Sequence, residues 1–400
     1  MGIYKFEKSV FYKQLKLMLI NDINHSPSLE VLSVLNVLSE QYENRIEWEE
    51  LVYKTLLRIR EEIYAGKYHP FSINSGFTHI LCILDDLIIK IPDLSRFHNA
   101  CFRVLKDNIR LYLDLPSDLS SNREYELITG LSGVARYLMD HTDDVESNYL
   151  LEKITDRLIN RSVARDMQGG QITGYQYYPD EIEQKYMNSN IANGCVNYGV
   201  SHGMGGPLIV LSEMYERGYH NSLLLSTIHN LWKEYLDALY KVQDIVYWPG
   251  RISAKQYFTK ELIDKRANQM SWCYGSVGIL RGLYISAKAI GDKEKELWVQ
   301  NELKKIAQMP MDKLMLSSTM VCHGFSGIAL IMNLMYENTR DVVFHQTTHA
   351  IIEYILKMLP EEEKYMKQFH YLEGSVGVLQ TLISLTTGIH NCNEKRLLII

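Results

Sequence analysis

Apolar and amphipathic stretches alternate along most of the chain. The apolar stretches are dense in Leu, Ile, Val and Met and have too few charges to keep a helical face in water; they lie at 131–138, 208–214, 279–285 and 328–335. The stretches between them, such as 147–159 and 293–306, place charges on one face of a helical period. This alternation predicts buried helices separated by exposed amphipathic helices.

A short glycine motif marks the start of each apolar stretch. Gly-x-x-Gly begins at residues 130, 203, 275, 324 and 374, in steps of 73, 72, 49 and 50 residues. Two weaker copies begin at 76 and 28, which extends the series backwards in steps of 54 and 48 residues. Since a recurring unit indicates a repeat architecture, we infer seven units, each with room for two helices. Seven helical hairpins predict an all-α fold, an α/α toroid (barrel) whose buried helices form the inner wall.

The loops that enter the buried helices are expected to converge on one rim of this barrel. We expect the motif glycines there to permit φ > 0 and a close approach of the backbone. Two units are longer than the others, and their segments 168–179 and 245–253 are rich in β-branched and aromatic residues interrupted by Gly and Pro. The sequence therefore predicts a single toroid domain over 1–400, with β-containing rim insertions at 165–192 and 244–268.

Composition and charge narrow the classes of function. The 400 residues include 42 basic and 48 acidic side chains, and the net charge of -6 gives no electrostatic footprint for nucleic acid. The N-terminal residues are charged, and no uncharged run approaches the ~18 residues of a membrane helix. We expect a soluble, cytoplasmic protein. Its six scattered cysteines do not suit a disulfide scaffold, which favours metal binding or catalysis.

Three soft metal ligands occupy the same phase of the repeat. Cys273 opens Cys-Tyr-Gly-Ser-Val-Gly, and 49 positions later Cys322 and His323 open Cys-His-Gly-Phe-Ser-Gly. Two thiolates and one imidazole suit Zn²⁺, and three protein ligands leave a fourth position open for water or substrate. We predict one zinc ion per chain, bound by Cys273, Cys322 and His323. A structural site completed by Cys195 is the alternative.

The motifs resemble those of a known enzyme family. The segments Gly-Cys-Val-Asn-Tyr-Gly-Val-Ser-His-Gly-Met-Gly-Gly at 194–206, Trp-Cys-Tyr-Gly at 272–275, Cys-His-Gly at 322–324 and Leu-Glu-Gly at 372–374 are similar to those of the lanthipeptide cyclases, the LanC family. The resemblance covers essentially the whole chain and is weakest in the N-terminal part. It implies a toroid of seven hairpins with zinc at its rim, in agreement with the repeats.

The resemblance implies zinc-dependent ring closure in lantibiotic (bacteriocin) biosynthesis. A cysteine thiol of a dehydrated precursor peptide adds across a dehydroalanine or dehydrobutyrine and forms a lanthionine or methyllanthionine thioether. Coordination to zinc deprotonates the thiol, and His202 takes the thiol proton and returns it to the enolate. The resemblance further implies association with a dehydratase and an export transporter at the inner face of the cell membrane.

Two positions depart from the family's pattern. Ahead of its glycine motif the family has an aspartate, whereas this chain has Glu126, from which we expect the same electrostatic role toward His202. Four residues before the first zinc cysteine the family usually has an arginine, whereas this chain has Gln269, expected to donate a hydrogen bond to the enolate. Tyr274 is expected to help hold the metal ligands. The predicted catalytic residues are therefore His202, Glu126, Gln269 and Tyr274.

Two other functions remain open. A catalytically weak LanC-like zinc protein that binds a peptide or a partner enzyme would keep the same motifs. Zinc-dependent prenyl transfer also uses an α/α toroid, although its usual Asp, Cys and His ligand pattern is absent. His345 and His349 stand four residues apart on a predicted outer helix, where we expect a solvated face rather than a second metal site.

Overall fold

A computed structural model gives the fold. It describes residues 28–39, 45–167, 169–186, 193–261, 270–359, 368–388 and 394. Over these residues, no helix combines the length and the apolar character needed to cross a lipid bilayer. The chain divides into two compact units, Met1–Leu105 with Ser317–Ile400, and Lys106–Leu316.

The described residues are mainly helical, with a few short strands. The α-helices are α1 (Leu29–Leu38), α2 (Arg45–Tyr64), α3 (Phe77–Lys90), α4 (Ser95–Asp114), α5 (Leu131–Leu138), α6 (Val145–Arg161), α7 (Glu181–Tyr186), α8 (Gly205–Glu216), α9 (Leu224–Ala238), α10 (Ala254–Thr259), α11 (Ser276–Ala289), α12 (Lys293–Ala307), α13 (Phe325–Thr339), α14 (Val342–Met358) and α15 (Ser375–Thr387). The strands are β1 (Arg165–Met167), β2 (Gly170–Ile172), β3 (Cys195–Asn197), β4 (Tyr240–Val242), β5 (Ile245–Tyr247) and β6 (Arg251–Ser253).

The predicted alternation of buried and exposed helices is confirmed. Every residue of α5 is buried, and most residues of α8, α11, α13 and α15 are buried as well. The intervening helices bury one face, as α6 does with Leu150, Ile154 and Leu158. Apolar density in the sequence therefore distinguishes the helices that are buried all round from those that keep a face in water.

In the unit formed by Met1–Leu105 and Ser317–Ile400, the buried helices pack against one another in the order α13, α15, α1 and α3. Helix α13 packs against α14 and α15, and α15 packs against α1, which also contacts α2 and α3. A side-chain hydrogen bond supports this packing, because Nε2 of Gln380 in α15 donates to the hydroxyl of Ser33 in α1 over 2.5 Å. Both of these side chains are buried.

In the unit Lys106–Leu316, α5 packs against α6 and α8, while α8 contacts α9 and α11, and α11 contacts α12. The six strands form three antiparallel pairs, β1 with β2, β3 with β6, and β4 with β5. Strands β2, β5 and β6 lie within the segments for which the sequence predicted strands. The pairing of β3 with β6 sets Asn197 opposite Arg251. The single domain over 1–400 and the placement of its insertions at a rim stay predictions.

The motif glycines are needed for close packing and not for a left-handed backbone. The first glycine caps five buried helices with a negative φ, at Gly76, Gly130, Gly275, Gly324 and Gly374. The expectation of φ > 0 at these positions is therefore wrong. A Cβ at Gly324 would overlap the carbonyl oxygen of Ser318 and lie 2.6 Å from the amide nitrogen of Met320. The incoming loop crosses the start of the helix so closely that a side chain has no room.

Candidate active site

Backbone hydrogen bonds join three loops that precede buried helices. The N–H of Val200 donates to the carbonyl of Cys273 over 2.8 Å, and the N–H of Leu127 donates to the carbonyl of Ser201 over 3.0 Å. These bonds fix the loops before α5, α8 and α11 beside one another. Residues from three different repeats are thereby brought to one place.

Glu126 and His202 form an acid–histidine pair within this group of loops. Nδ1 of His202 lies 2.6 Å from Oε2 of Glu126. The carboxylate is 1% exposed, against 38% for the imidazole. It also accepts from the N–H of Ile128 over 3.1 Å and from the hydroxyl of Thr129 over 2.8 Å. A carboxylate at Nδ1 favours the tautomer with the proton on that nitrogen, which leaves Nε2 of His202 as the basic atom.

The pKa of His202 is raised above its usual value. Burial by itself lowers the pKa of an imidazole, because it disfavours the cation, but the hydrogen bond to Glu126 and the charge of Glu126 together outweigh burial. The positive charge of Arg251 acts as a smaller opposing influence on the pKa. His202 is therefore tuned to bind a proton more readily than a free histidine.

Tyr274 lies beside His202 and contacts an arginine. The two ring centroids of His202 and Tyr274 are 6.5 Å apart, with an interplanar angle of 32°. Nη2 of Arg251 donates a hydrogen bond to the phenolic oxygen of Tyr274, and the guanidinium carbon lies 5.1 Å from the centre of the tyrosine ring. The Tyr274 hydroxyl is therefore held by a cation, and its ring lies next to the imidazole.

Cys273, Cys322 and His323 form a group of potential metal ligands. One ligand atom from each residue lies within 4.8 Å of the other two. This donor set fits zinc, whose bonds are about 2.3 Å to sulfur and about 2.0–2.1 Å to nitrogen. The cysteines are 0% and 7% exposed, whereas the His323 side chain is 44% exposed. The group is thus shielded on the side of the thiols and open on the side of the imidazole.

Neighbouring groups support each of these ligands. The N–H of Cys322 donates to the carbonyl of Leu372 over 2.9 Å. Nε2 of His323 lies 3.4 Å from a carboxylate oxygen of Glu373, and the hydroxyl of Ser271 lies 3.7 Å from the sulfur of Cys273. Polar groups that orient ligands in this way are typical of metal centres.

The other residues singled out from the sequence have different outcomes. Gln269 lies outside the described residues. Cys195 is in β3, buried against Tyr177, and does not belong to the ligand group found among the described residues. His345 and His349 are partly buried in α14, with their Nε2 atoms 3.0 Å apart.

Sequence reasoning missed Arg251. The sequence of 245–253 predicts a rim insertion with short strands, and no motif distinguishes this arginine from the other arginines of the chain. Its contact with Tyr274 depends on the register of β6 against β3, which local sequence does not specify.

Comparisons with known proteins agree with this picture. Residues 31–393 match the family described as lanthionine synthetase C-like protein. The nisin biosynthesis protein NisC of Lactococcus lactis subsp. lactis is 28% identical over 223 residues, which are 53% of this chain and 49% of that protein. This alignment thus spans about half the length of the curated relative.

The solved structure of nisin cyclase has the same fold. It superposes with a TM-score of 0.83 and 19% sequence identity, over 98% of this chain and 98% of that one. The predicted fold class, an all-α α/α toroid, is confirmed by this match.

Proposed function

Because the chain belongs to the lanthionine synthetase C-like family, we propose that it is a zinc-dependent lanthipeptide cyclase of lantibiotic biosynthesis. It adds a peptide cysteine thiol to a dehydroalanine or dehydrobutyrine and so closes a lanthionine or methyllanthionine ring. The observation that carries the proposal is the pair of His202 and Glu126, 2.6 Å apart. The loop of His202 is bonded to the backbone of Cys273, and the loop of Glu126 is bonded to Ser201.

Cys273, Cys322 and His323 are the residues that would hold the metal. Two thiolates and an imidazole are typical zinc ligands, and a set of three leaves a coordination position for the substrate. When bound there, zinc supplies a positive charge that lowers the pKa of a peptide thiol and so makes a nucleophile available at neutral pH.

His202 is proposed to move the proton in both halves of the reaction. Its Nδ1–H is held by Glu126, so Nε2 accepts the proton that the peptide thiol loses. The sulfur electron pair then forms a bond to the β-carbon of the dehydro residue, and the π electrons move to the carbonyl oxygen. Protonation of the α-carbon by the His202 imidazolium restores the carbonyl and the neutral imidazole.

Glu126 fills the place of the aspartate that the resemblance leads one to expect. Its carboxylate reaches Nδ1 of His202 while it accepts bonds from Ile128 and Thr129. These bonds fix the longer side chain in one position. The substitution of glutamate for aspartate is therefore compatible with catalysis, which favours an active cyclase over a protein that only binds peptide.

The substrate is proposed to be a precursor peptide that a dehydratase has already acted on, because the addition needs a dehydrated residue as acceptor. The proposed association with that dehydratase and with an export transporter at the membrane rests on the family resemblance alone.

The function is tested with a purified dehydrated precursor peptide. We expect wild-type protein with one zinc ion per chain to consume free thiols, measured by mass spectrometry after alkylation with N-ethylmaleimide. Cys273→Ala and Cys322→Ala should abolish both zinc binding and thiol consumption, because each removes a metal ligand. Cys195→Ala is the matched control and should retain both, since Cys195 lies outside the ligand group.

Two results would contradict the proposal. If free thiols persist at the level without enzyme, the protein is not a cyclase for that peptide class. If thiols disappear equally well with Cys322→Ala, zinc does not activate them.

A further inference from the structure

The proposed addition reaction creates a negative charge that needs a hydrogen-bond donor. When sulfur bonds to the β-carbon, the carbonyl oxygen of the dehydro residue becomes an enolate oxygen. Preorganised donors directed at such an oxygen are usually the largest single contribution to catalysis. His202 is occupied with the proton of the thiol and of the α-carbon, and Gln269, the donor expected from the sequence, lies outside the described residues. Among the described residues, a group other than His202 is therefore needed at this oxygen.

Strand pairing holds Arg251 in a defined position. Arg251 is the first residue of β6, directly opposite Asn197 of β3, and the N–H of Tyr198 donates to the carbonyl of Gly250 over 3.0 Å. The backbone on both sides of Arg251 is thus bonded to the segment that leads to His202. The arginine is carried by the same framework as the catalytic histidine.

Tyr274 is the acceptor of the arginine. Nη2 of Arg251 donates to the phenolic oxygen, and the guanidinium also lies over the tyrosine ring, 5.1 Å from its centre. A phenolic oxygen that accepts such a bond keeps its own proton for another partner. Donation from a cation also polarises the O–H bond, which strengthens the bond that the phenol donates.

The tyrosine ring is seated closely between the loops of the site. A Cβ at Gly199 would lie 2.6 Å from Cδ1 of Tyr274 and 2.7 Å from the carbonyl oxygen of Cys273. Glycine at position 199 therefore leaves room for the ring. Tyr274 follows the metal ligand Cys273 directly and lies 6.5 Å from His202, ring centre to ring centre.

We propose that Tyr274 donates the hydrogen bond to the enolate oxygen and that Arg251 is the positioning residue that orients and polarises Tyr274. The inference rests on the proposed cyclase function. In this step the sulfur electron pair forms the C–S bond and the π electrons become the lone pair of the enolate oxygen. The phenolic proton stays on Tyr274 throughout, and the proton for the α-carbon comes from His202.

A double-mutant cycle tests the arrangement. Tyr274→Phe should lower kcat by about 10²-fold with little change in KM, as loss of an oxyanion donor does. Arg251→Gln should lower kcat by about tenfold, since the phenol remains but is less polarised and less well oriented. If the arginine acts through the tyrosine, Arg251→Gln should cost nothing further in the Tyr274→Phe background.

Further measurements separate positioning from a structural role. Arg251→Lys should restore part of the lost kcat, because it keeps a cation but not the planar fork. Zinc content and unfolding temperature should stay at wild-type values in all the Arg251 and Tyr274 variants. Lys255→Gln is the matched control, because it removes a nearby exposed positive charge in α10 and should leave kcat unchanged.

The outcomes distinguish this inference from the proposed function. Additive losses in the double variant, an unchanged kcat for Arg251→Gln, or a loss that parallels loss of zinc would overturn the roles of Arg251 and Tyr274 while the cyclase assignment stands. Absence of cyclisation by the wild-type protein would overturn the proposed function, and this inference with it.

Discussion

At the scale of single residues, the proposed chemistry depends on one buried carboxylate. Glu126 is 1% exposed and holds Nδ1 of a histidine that lies 76 residues further along the chain. Because the carboxylate is fixed by Ile128 and Thr129, the imidazole has a defined tautomer and orientation. Local hydrogen bonds thus hold the carboxylate in place, although the side chain of glutamate is one methylene longer than that of aspartate.

Glu126→Gln is expected to change the pH dependence of cyclisation. The carboxylate raises the pKa of His202 against the effect of burial, so its loss should lower that pKa. As the neutral imidazole is the proposed base, the acidic limb of the kcat/KM profile should move to lower pH, and the plateau rate should fall. The Glu126–His202 interaction also stabilises the fold below the usual pKa of histidine, a contribution lost as pH rises through the raised pKa.

A pH–rate profile of the variant checks this prediction. Glu124→Gln is the matched control, because Glu124 is a neighbouring buried carboxylate that bonds to Arg157 and not to His202. It should lower stability without moving the acidic limb. An acidic limb that stays in place in Glu126→Gln would remove Glu126 from the mechanism.

At the scale of elements, the second glycine of the motif permits close contact between two of the buried helices and the loops that precede them. A Cβ at Gly278 in α11 would overlap the carbonyl oxygen of Trp272 and lie 2.6 Å from the carbonyl carbon. The same relation recurs at Gly377 in α15, whose Cβ would overlap the carbonyl oxygen of Tyr371. The loop before α11 carries Cys273, and the loop before α15 carries Glu373, which contacts His323. In both places the motif therefore couples helix packing to the geometry of the candidate site.

Gly278→Ala is expected to destabilise the fold and the metal site together. The added methyl meets rigid backbone, and overpacking of this kind costs about 1–3 kcal/mol. Because Trp272 precedes Cys273, zinc content should fall as well. Urea unfolding and elemental analysis measure the two effects.

The control for this variant lies on the same helix. In Gly282→Ala the nearest atom is Cδ1 of Ile209 at 3.1 Å, the end of a flexible side chain. The higher helix propensity of alanine, worth about 1 kcal/mol, should offset the small adjustment of Ile209. Equal loss of stability in both variants would show that the contact with Trp272 is not the cause.

At the scale of the whole molecule, the repeat relates proposed metal ligands that are distant in sequence. Cys273 and Cys322 stand 49 positions apart at the same phase of successive units, and one ligand atom from each of Cys273, Cys322 and His323 lies within 4.8 Å of the others. Their spacing follows from the period of the fold and not from a local zinc motif. A ligand that binds such a site adds its binding free energy to the stability of the folded state.

Removal of zinc is therefore expected to lower the unfolding temperature. A ligand at a thousand times its Kd stabilises the fold by about 4 kcal/mol, so chelation should shift the thermal transition by several degrees. Calorimetry with and without a chelator measures the shift. The Cys273→Ala/Cys322→Ala variant should unfold at one temperature in both conditions.

A variant of α14 controls for metal bound elsewhere. His345→Ala/His349→Ala removes the paired imidazoles of that helix and should keep the full response to the chelator. A response that survives in the double cysteine variant and vanishes in the double histidine variant would assign the metal to α14 instead.

The repeat and the alternation of buried and exposed helices follow from the local pattern of residues, and so does the choice of Cys273, Cys322 and His323 as proposed metal ligands. Burial can be predicted from the local sequence, because the hydrophobic effect depends on the apolar density of each helix. The shared phase of Cys273 with Cys322 and His323 follows from counting residues. The close approach of the backbone at the motif glycines is also expected from the sequence and is confirmed at Gly324, whereas the expected φ > 0 is not found there.

Which side chains meet follows from contacts between segments that are far apart in the chain. Whether Glu126 reaches His202 depends on the hydrogen bond between the loops at Leu127 and Ser201. The contact between Arg251 and Tyr274 depends on the register of a strand pair three residues long. Neither feature has a periodic signature, because loop conformation and strand register are set by contacts between segments far apart in the chain.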